Sequence, residues 1–248
     1  MIRIYSKTDI GRVRQDNQDA YFAETMSDNT AFAVVCDGMG GAAAGGYASK
    51  KAVELIKKYI QKSFRNDYGE KEITRLLQNA VLSANIELYR MSVNEEELHG
   101  MGTTVVAGIL KDDRAVICHV GDSRAYVIGQ DVNLITRDHS VVQSLVESGK
   151  ITEEEARKHP KKNIITRALG VEENVLSDID CVDINKGDFI LLCSDGLTNY
   201  LGKETIKEIF NKADNDTDYA ETLVEEANRT GGGDNITAVV IKNGLKGE

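Results

Sequence analysis

The sequence predicts an α+β fold of four layers, α-β-β-α, in which two mainly antiparallel sheets pack face to face and each is covered by a helix pair. Three observations predict it. Short apolar or alternating segments are too numerous for one small sheet. Thr103–Thr136 holds several of them and no helical pattern, whereas a doubly wound parallel sheet needs helices between its strands. The long helical patterns come in pairs.

In chain order, Ile2 to Thr8 (IRIYSKT) alternates and reads as a half-buried strand, with Ala20–Ala23 a second, short one. Thr30–Asp37 (TAFAVVCD) is an almost continuous apolar run that stops at Asp-Gly, which suits a central strand. Tyr47–Lys62 reads as a helix with Ala48, Ala52, Leu55, Ile56, Tyr59 and Ile60 on one face. Glu70–Met91 is a longer helix whose Ile73, Leu76, Leu77, Ala80, Val81, Ala84, Leu88 and Met91 follow the 3.6-residue period. The period then becomes two. Thr103–Leu110, Ala115–Val120, Ala125–Ile128 and Asn133–Thr136 read as strands, with hairpin loops at Lys111–Arg114 and Gly129–Asp131. Ser140–Lys158 reads as two short helices, and Thr152 with Glu155 has the spacing of a capping box. A further hairpin, Val175–Ile184 and Asp188–Cys193, is expected across Asn185-Lys186-Gly187. Helices at Lys203–Lys212 and Thr217–Arg229 and a strand at Asn235–Lys242 complete the series.

No linker or repeat divides the 248 residues, so one domain over residues 1–245 is expected. No window approaches 18 consecutive apolar residues, so no membrane span is expected. The first residues, MIRIYSKTDIGR, lack the apolar stretch of a secretory signal, and a cytoplasmic location follows as an expectation. A net charge of −10 repels phosphate backbones and argues against generic nucleic-acid binding. The four cysteines form no CxxC pair and the four histidines have no zinc spacing; buried, reduced thiols are expected.

Chemistry gathers where strands end in an aspartate. Phe32–Cys36 runs into Asp37-Gly38, Val116–Val120 into Gly121-Asp122-Ser123, and Phe189–Cys193 into Ser194-Asp195-Gly196. Gly231–Gly233 and Asp234 precede the last strand, and Asp16 and Asp19 precede the second. Each Asp-Gly alone is an ordinary turn. Brought to one edge of a sandwich, the carboxylates would repel one another unless cations relieved them. All-oxygen donors suit hard ions, Mg²⁺ or Mn²⁺ rather than zinc.

Two nucleotide readings fail. Gly38-x-Gly40-x-x-Ala43 fits a dinucleotide fingerprint, but the chain is still helical about 20 residues on, where a second strand should end in an acid. Gly41 and Gly46 have Walker A spacing, but Tyr47-Ala48 stands where Lys-Ser/Thr is required. A cysteine-phosphatase loop, CxxxxxR, matches only Cys118 to Arg124; its interior lacks a glycine cradle and carries an acid.

The ordered set is Arg14-x-x-Asn17-x-Asp19, Asp37-Gly38-Met39-Gly40-Gly41, Gly102-Thr103-Thr104, Gly121-Asp122-Ser123-Arg124, Asp138-His139-Ser140, Ser194-Asp195-Gly196-Leu197 and Gly233-Asp234-Asn235. It resembles the metal-dependent protein phosphatases (PPM, or type 2C, serine/threonine protein phosphatases), in particular their compact bacterial branch, over almost the whole chain. The resemblance implies a β-sandwich flanked by helix pairs and hydrolysis of phosphoserine and phosphothreonine in proteins by direct attack of a water bridging two Mn²⁺ or Mg²⁺ ions. It implies Asp37, Asp195 and Asp234 as catalytic metal ligands. Asp37 bridges both ions, the Gly38 carbonyl binds the first, and Asp195 and Asp234 bind the second. Asp122, with Asp195, matches a weaker third site. Asp19 and Asn235 are expected just behind the ligands, Asp19 orienting water. Arg14 is implied to hold the substrate phosphate, and about residues 140–170 to form a flap beside the site.

Animal relatives place a histidine, proposed as general acid, where this chain has Met39, which has no proton to give; they have an acid where this chain has Gln18. His139 recurs in the pattern and is expected to make a structural hydrogen bond. The implied partners are phosphorylated proteins, a bacterial serine/threonine kinase and its targets, with no nucleic acid or membrane, and the chain is expected to be a monomer. The alternative reading is a catalytically silent phosphatase-fold regulatory or binding module; the presence of Asp37, Asp195 and Asp234 argues against it.

Overall fold

A computed structural model of the chain describes residues 1–40, 44–212 and 217–244. Gly41–Ala43 of the first glycine bunch and the expected domain limit at 245 lie outside the described residues.

Two antiparallel sheets form the centre. The first has the order β1 (Arg3–Asp9), β11 (Ile236–Lys242), β10 (Phe189–Cys193), β7 (Arg124–Ile128) and β8 (Val132–Leu134). The second runs β2 (Asp19–Ser27), β3 (Thr30–Met39), β5 (Val105–Lys111), β6 (Arg114–Val120) and β9 (Asp178–Asp183), and the two-residue β4 (Gly102–Thr103) pairs with the end of β3.

The two-residue period of the strands builds three cores. On β3, Ala31, Ala33 and Val35 face the other sheet and meet Leu192, Val239 and Ile241. Phe32, Val34 and Cys36 face outward, under α1 (Ala44–Ser63) and α2 (Glu70–Asn94). On the opposite sheet, Leu191, Cys193, Ala238 and Val240 pack beneath α6 (Lys203–Lys212) and α7 (Tyr219–Thr230). The apolar stripe of α2 is buried as its period requires, with Ile73, Leu77, Val81 and Leu88 at most 3% exposed. Four layers result, as the sequence predicts.

Several elements depart from the sequence reading. Val175–Ile184 and Asp188–Cys193 do not form a hairpin: β9 pairs with β6, while β10 pairs with β7 and β11. The turn itself is present, with Asp188 N–H donating to Asn185 C=O at 3.1 Å. It is a corner between sheets, because Ile184 is fully buried in the inter-sheet core and Gly187 N–H bonds Asn243 C=O at 2.6 Å. Thr103–Leu110 is interrupted at Thr104, whose N–H turns to Asp37 C=O. β3 continues two residues past Asp37, paired by Gly38 and Met39 to Thr103 and Gly102. A 3-10 turn at Glu96–Leu98 and the four-residue helix α5 (Asp195–Thr198) carry no apolar period by which to be found.

The 140–170 segment contains α3 (Val141–Glu147) and α4 (Glu153–Lys158), neither with a buried residue. Ser140 caps α3, and Thr152 and Glu155 form the expected capping box. Among the described residues, no helix is long and apolar enough to cross a membrane.

Candidate metal centre

The strand ends converge as the sequence analysis anticipates. One cavity is lined by Asp37, Asp122, Asp195 and Asp234, with Asp16 and Arg14 at its rim and Gly38 and Asn235 in its wall. Arg14 is the only cation among the described residues that line it.

Asp37 is fixed through its backbone. Its N–H donates to Thr104 Oγ1 at 3.0 Å, and its C=O accepts from Thr103 Oγ1 at 2.8 Å and Thr104 N–H at 2.9 Å. Thr104 Oγ1 in turn lies 2.8 Å from Ser123 Oγ, tying β3 to the turn that carries Asp122. Beside Asp37, a Cβ on Gly38 would stand 2.1 Å from Gly45 C=O, so only glycine lets the backbone pass this close to α1. Gly121 is the second position of this kind: its φ is +107° and a Cβ would stand 2.6 Å from Thr104 Cγ2.

Asp195 opens α5, and its Oδ2 accepts from Asn199 Nδ2 at 3.0 Å. Asp234 Oδ1 accepts from Asn235 N–H at 2.9 Å, and its Oδ2 from Arg14 Nη2 at 2.8 Å. Asn235 anchors the neighbouring chain: Nδ2 donates to Ile10 C=O and Asp16 C=O, and Oδ1 accepts from Gln18 N–H. Asp19, opposite Asp37 in the β2–β3 register, lies behind the cavity wall. Its Oδ2 accepts from Ser194 Oγ and Thr237 Oγ1, both at 2.6 Å, while its buried Oδ1 has no partner among the described residues.

The electrostatics are those of a site built for cations. Burial, and then the neighbouring carboxylates, push Asp37 well above the ordinary carboxylate range. Asp122 is pushed up to about 8, first by burial and then by Asp195. Asp19 rises to about 7, mainly from burial, against the two hydroxyl donors. Asp195 is raised by burial and Asp234, against hydrogen bonds from Asn199 and Asp37. A divalent ion would supply these missing counter-charges, and the donors are all oxygens, so the residues present fit hard cations.

His139 makes the kind of structural hydrogen bond expected of it. Its Nδ1 accepts from Gly121 N–H at 3.1 Å and its own N–H bonds Gly121 C=O at 2.9 Å, clamping the Asp122 turn. The ring proton is thereby assigned to Nε2, which faces Asp178 Oδ2 at 3.3 Å. His119, His139 and Asp178 bring ligand atoms within 4.8 Å of one another. Arg167 already acts as the cation of that cluster, its Nη1 donating to Asp178 Oδ1 at 2.9 Å.

The thiols have no part in the cavity. Burial pushes Cys118 up to about 12, and Arg124, its partner in the CxxxxxR spacing, forks onto Asp138 at 2.9 and 2.7 Å. The residues the sequence reading passed over are hydroxyls. Ser194 stood in a motif without a role; Thr237 had one signal, a buried polar residue in an apolar strand.

The family model for protein phosphatase 2C matches residues 11–228. The chain is 40% identical to the serine/threonine phosphatase stp of Listeria monocytogenes over 240 residues, 96% of this chain and 95% of that one. The crystal structure of serine/threonine phosphatase Stp1 from Staphylococcus aureus is 36% identical with a TM-score of 0.91, over 100% of this chain and 96% of that one. The catalytic domain of the serine/threonine protein phosphatase PstP, in complex with two manganese ions, is 34% identical with a TM-score of 0.83, over 97% of each chain.

Proposed function

Because this chain belongs to the protein phosphatase 2C family, we propose that its acidic cavity is the catalytic centre of a metal-dependent serine/threonine protein phosphatase, within one catalytic domain over residues 1–245. The observation that carries this is the convergence of Asp37, Asp122, Asp195 and Asp234 on one cavity with, among the described residues, a single cation, Arg14. Asp37, the Gly38 carbonyl, Asp195 and Asp234 would hold two divalent cations, Mn²⁺ or Mg²⁺, and Asp122 with Asp195 a weaker third. Such ions supply the positive charge that phosphoryl transfer needs and lower the pKa of the attacking water.

The chain's own residues do the rest. Thr103 and Thr104 hold the Asp37 backbone so that its carboxylate needs little reorganisation. The fork-shaped Arg14 guanidinium offers donors to phosphate oxygens from the rim. Ile164 and Ile165 line the same cavity. Met39 donates no proton, so protonation of the leaving group falls to another group. No side chain is needed as nucleophile, in keeping with a cavity lining without cysteine among the described residues.

The substrates are phosphorylated proteins. A serine/threonine kinase and its targets are the opposing system in this reading, and the enzyme is taken as a cytoplasmic monomer. The catalytically silent alternative is not favoured, since Asp37, Asp195 and Asp234 are all retained. The test is phosphate release from a phosphothreonine peptide with and without Mn²⁺, beside a phosphotyrosine peptide. Mn²⁺-dependent release from phosphothreonine is expected; no release at any Mn²⁺ concentration would refute the reading.

A further inference from the structure

A second cleft, of about 260 Å³, adjoins the acidic cavity. Met39 and Ile165 line both, so the two meet along that pair of side chains. Gly102 keeps the boundary thin: a Cβ there would stand 3.4 Å from Met39 Cγ and 2.9 Å from Val171 Cγ2. Beyond it the wall carries Ala168, Val171, Val175 and Leu176 beside the polar Thr166, Asn174 and Glu172, and Arg167, whose guanidinium is engaged by Asp178.

Two of these apolar residues face water, Val171 at 48% and Leu176 at 76% exposure. A loose loop does not account for this. Asn85, fully buried on α2, donates to Glu172 C=O and Glu173 C=O, both at 3.0 Å, and accepts from Gly170 N–H at 2.9 Å. Ser92 Oγ bonds Gly170 C=O at 3.0 Å. The backbone from Gly170 to Glu173 is pinned from below and Leu176 C=O is reached by Arg167 Nη1 at 3.4 Å, with the Val171 and Leu176 side chains outward at the edge of the cleft. A rigid apolar surface continuous with a reaction cavity is arranged to bind something that also enters that cavity.

We infer that this cleft is a specificity subsite that takes one apolar side chain, of the leucine or isoleucine kind, from the phosphoprotein segment whose phosphorylated residue sits in the acidic cavity. The inference rests on the function proposed above. The cleft falls below the roughly 300–1,000 Å³ of small-molecule pockets, which suits a single side chain. Its cation, Arg167, is already held by Asp178, and Glu172 adds a negative charge, so a second phosphate finds no anchor there. In an extended segment, side chains two residues apart share a face at a spacing of about 6.6 Å. The favoured residue therefore lies two positions from the phosphothreonine.

The test is a set of phosphothreonine peptides with an alanine background and one leucine moved from four positions before the phosphoresidue to four after it, assayed with Mn²⁺ beside p-nitrophenyl phosphate. Leucine at one offset is expected to raise kcat/KM about tenfold, mostly through KM. Val171→Asp and Leu176→Asp, assayed separately, should erase that preference and spare p-nitrophenyl phosphate. A flat profile with peptide turnover intact overturns the subsite alone, as does a preference undiminished in both variants. Loss of p-nitrophenyl phosphate turnover in both variants also overturns it, since the residues would then belong to the catalytic fold. Turnover of p-nitrophenyl phosphate but of no phosphothreonine peptide overturns the protein-substrate reading and the subsite with it.

Discussion

Arg14 and Asp234 are bound to each other, 220 residues apart in sequence, by a 2.8 Å hydrogen bond from Nη2 to Oδ2. The rim cation thus spends one donor on a carboxylate proposed to hold metal and keeps others free for phosphate. Two effects of Arg14→Ala follow, with opposite signs. Phosphopeptide KM should rise more than kcat falls, because a ground-state phosphate contact is lost. Affinity for Mn²⁺ should increase by no more than about fivefold, since the pair is part-exposed and weak. Steady-state kinetics and calorimetric Mn²⁺ titration check the two arms; an unchanged kcat/KM would remove Arg14 from the site.

Asp37 is the ligand whose loss should separate activity from stability. It stands among Asp19, Asp195, Asp122 and Asp234, and its charge is disfavoured there. Asp37→Asn keeps the shape and removes that charge. Without added metal the variant should therefore melt at a higher temperature than the wild-type chain. Its kcat should fall by roughly two to three orders of magnitude, because a ligand shared by two ions supports both. Asp234→Asn should cost less activity. Melting curves in EDTA and Mn²⁺-saturated kinetics measure each part.

Burial, and then the same crowding, fixes a pH dependence. Asp19 at about 7 and Asp122 at about 8 bind protons more tightly in the folded chain than at the ordinary carboxylate value of 3.8. Stability from such groups is complete below the unfolded pKa and lost as pH rises through the folded one. In EDTA, the melting temperature should climb as pH is lowered from about 8.5 to 6. Mn²⁺ should flatten that slope, because a bound cation stabilises the ionised carboxylates and competes with protons. A melting temperature independent of pH in EDTA would show that the carboxylates are already ionised without penalty.

Much of the site was legible in the sequence because each aspartate ends a strand, and a sandwich brings strand ends to a common edge. Asp37, Asp122, Asp195 and Asp234 could be named on that ground and by resemblance. The support behind them was not legible. Thr237 holds Asp19 from 218 residues away, and Asn85 pins the loop at Glu172 from 87 residues away. Each shows locally only as a polar residue on a buried stripe, with nothing to identify its partner. The expected β9–β10 hairpin failed for a related reason. Asn185-Lys186-Gly187 reverses the chain, but the burial of Ile184 between the sheets decides that the next strand joins the other one.

Asp122 carries the final prediction. It sits on the turn after β6, where Gly121 takes a φ of +107° and is gripped on both sides by His139. Removing the Asp122 side chain leaves that grip and the Thr104–Ser123 contact in place, so the fold should persist. It also removes a carboxylate that raises Asp37, so the melting temperature in EDTA should not fall. A third ion held by so few protein oxygens would keep most of its waters and bind weakly. Asp122→Ala should therefore retain two tight Mn²⁺ sites in a calorimetric titration and lose the weak one. Its kcat should drop while KM for p-nitrophenyl phosphate changes little. Wild-type kcat at every Mn²⁺ concentration would return Asp122 to the ordinary work of closing a turn.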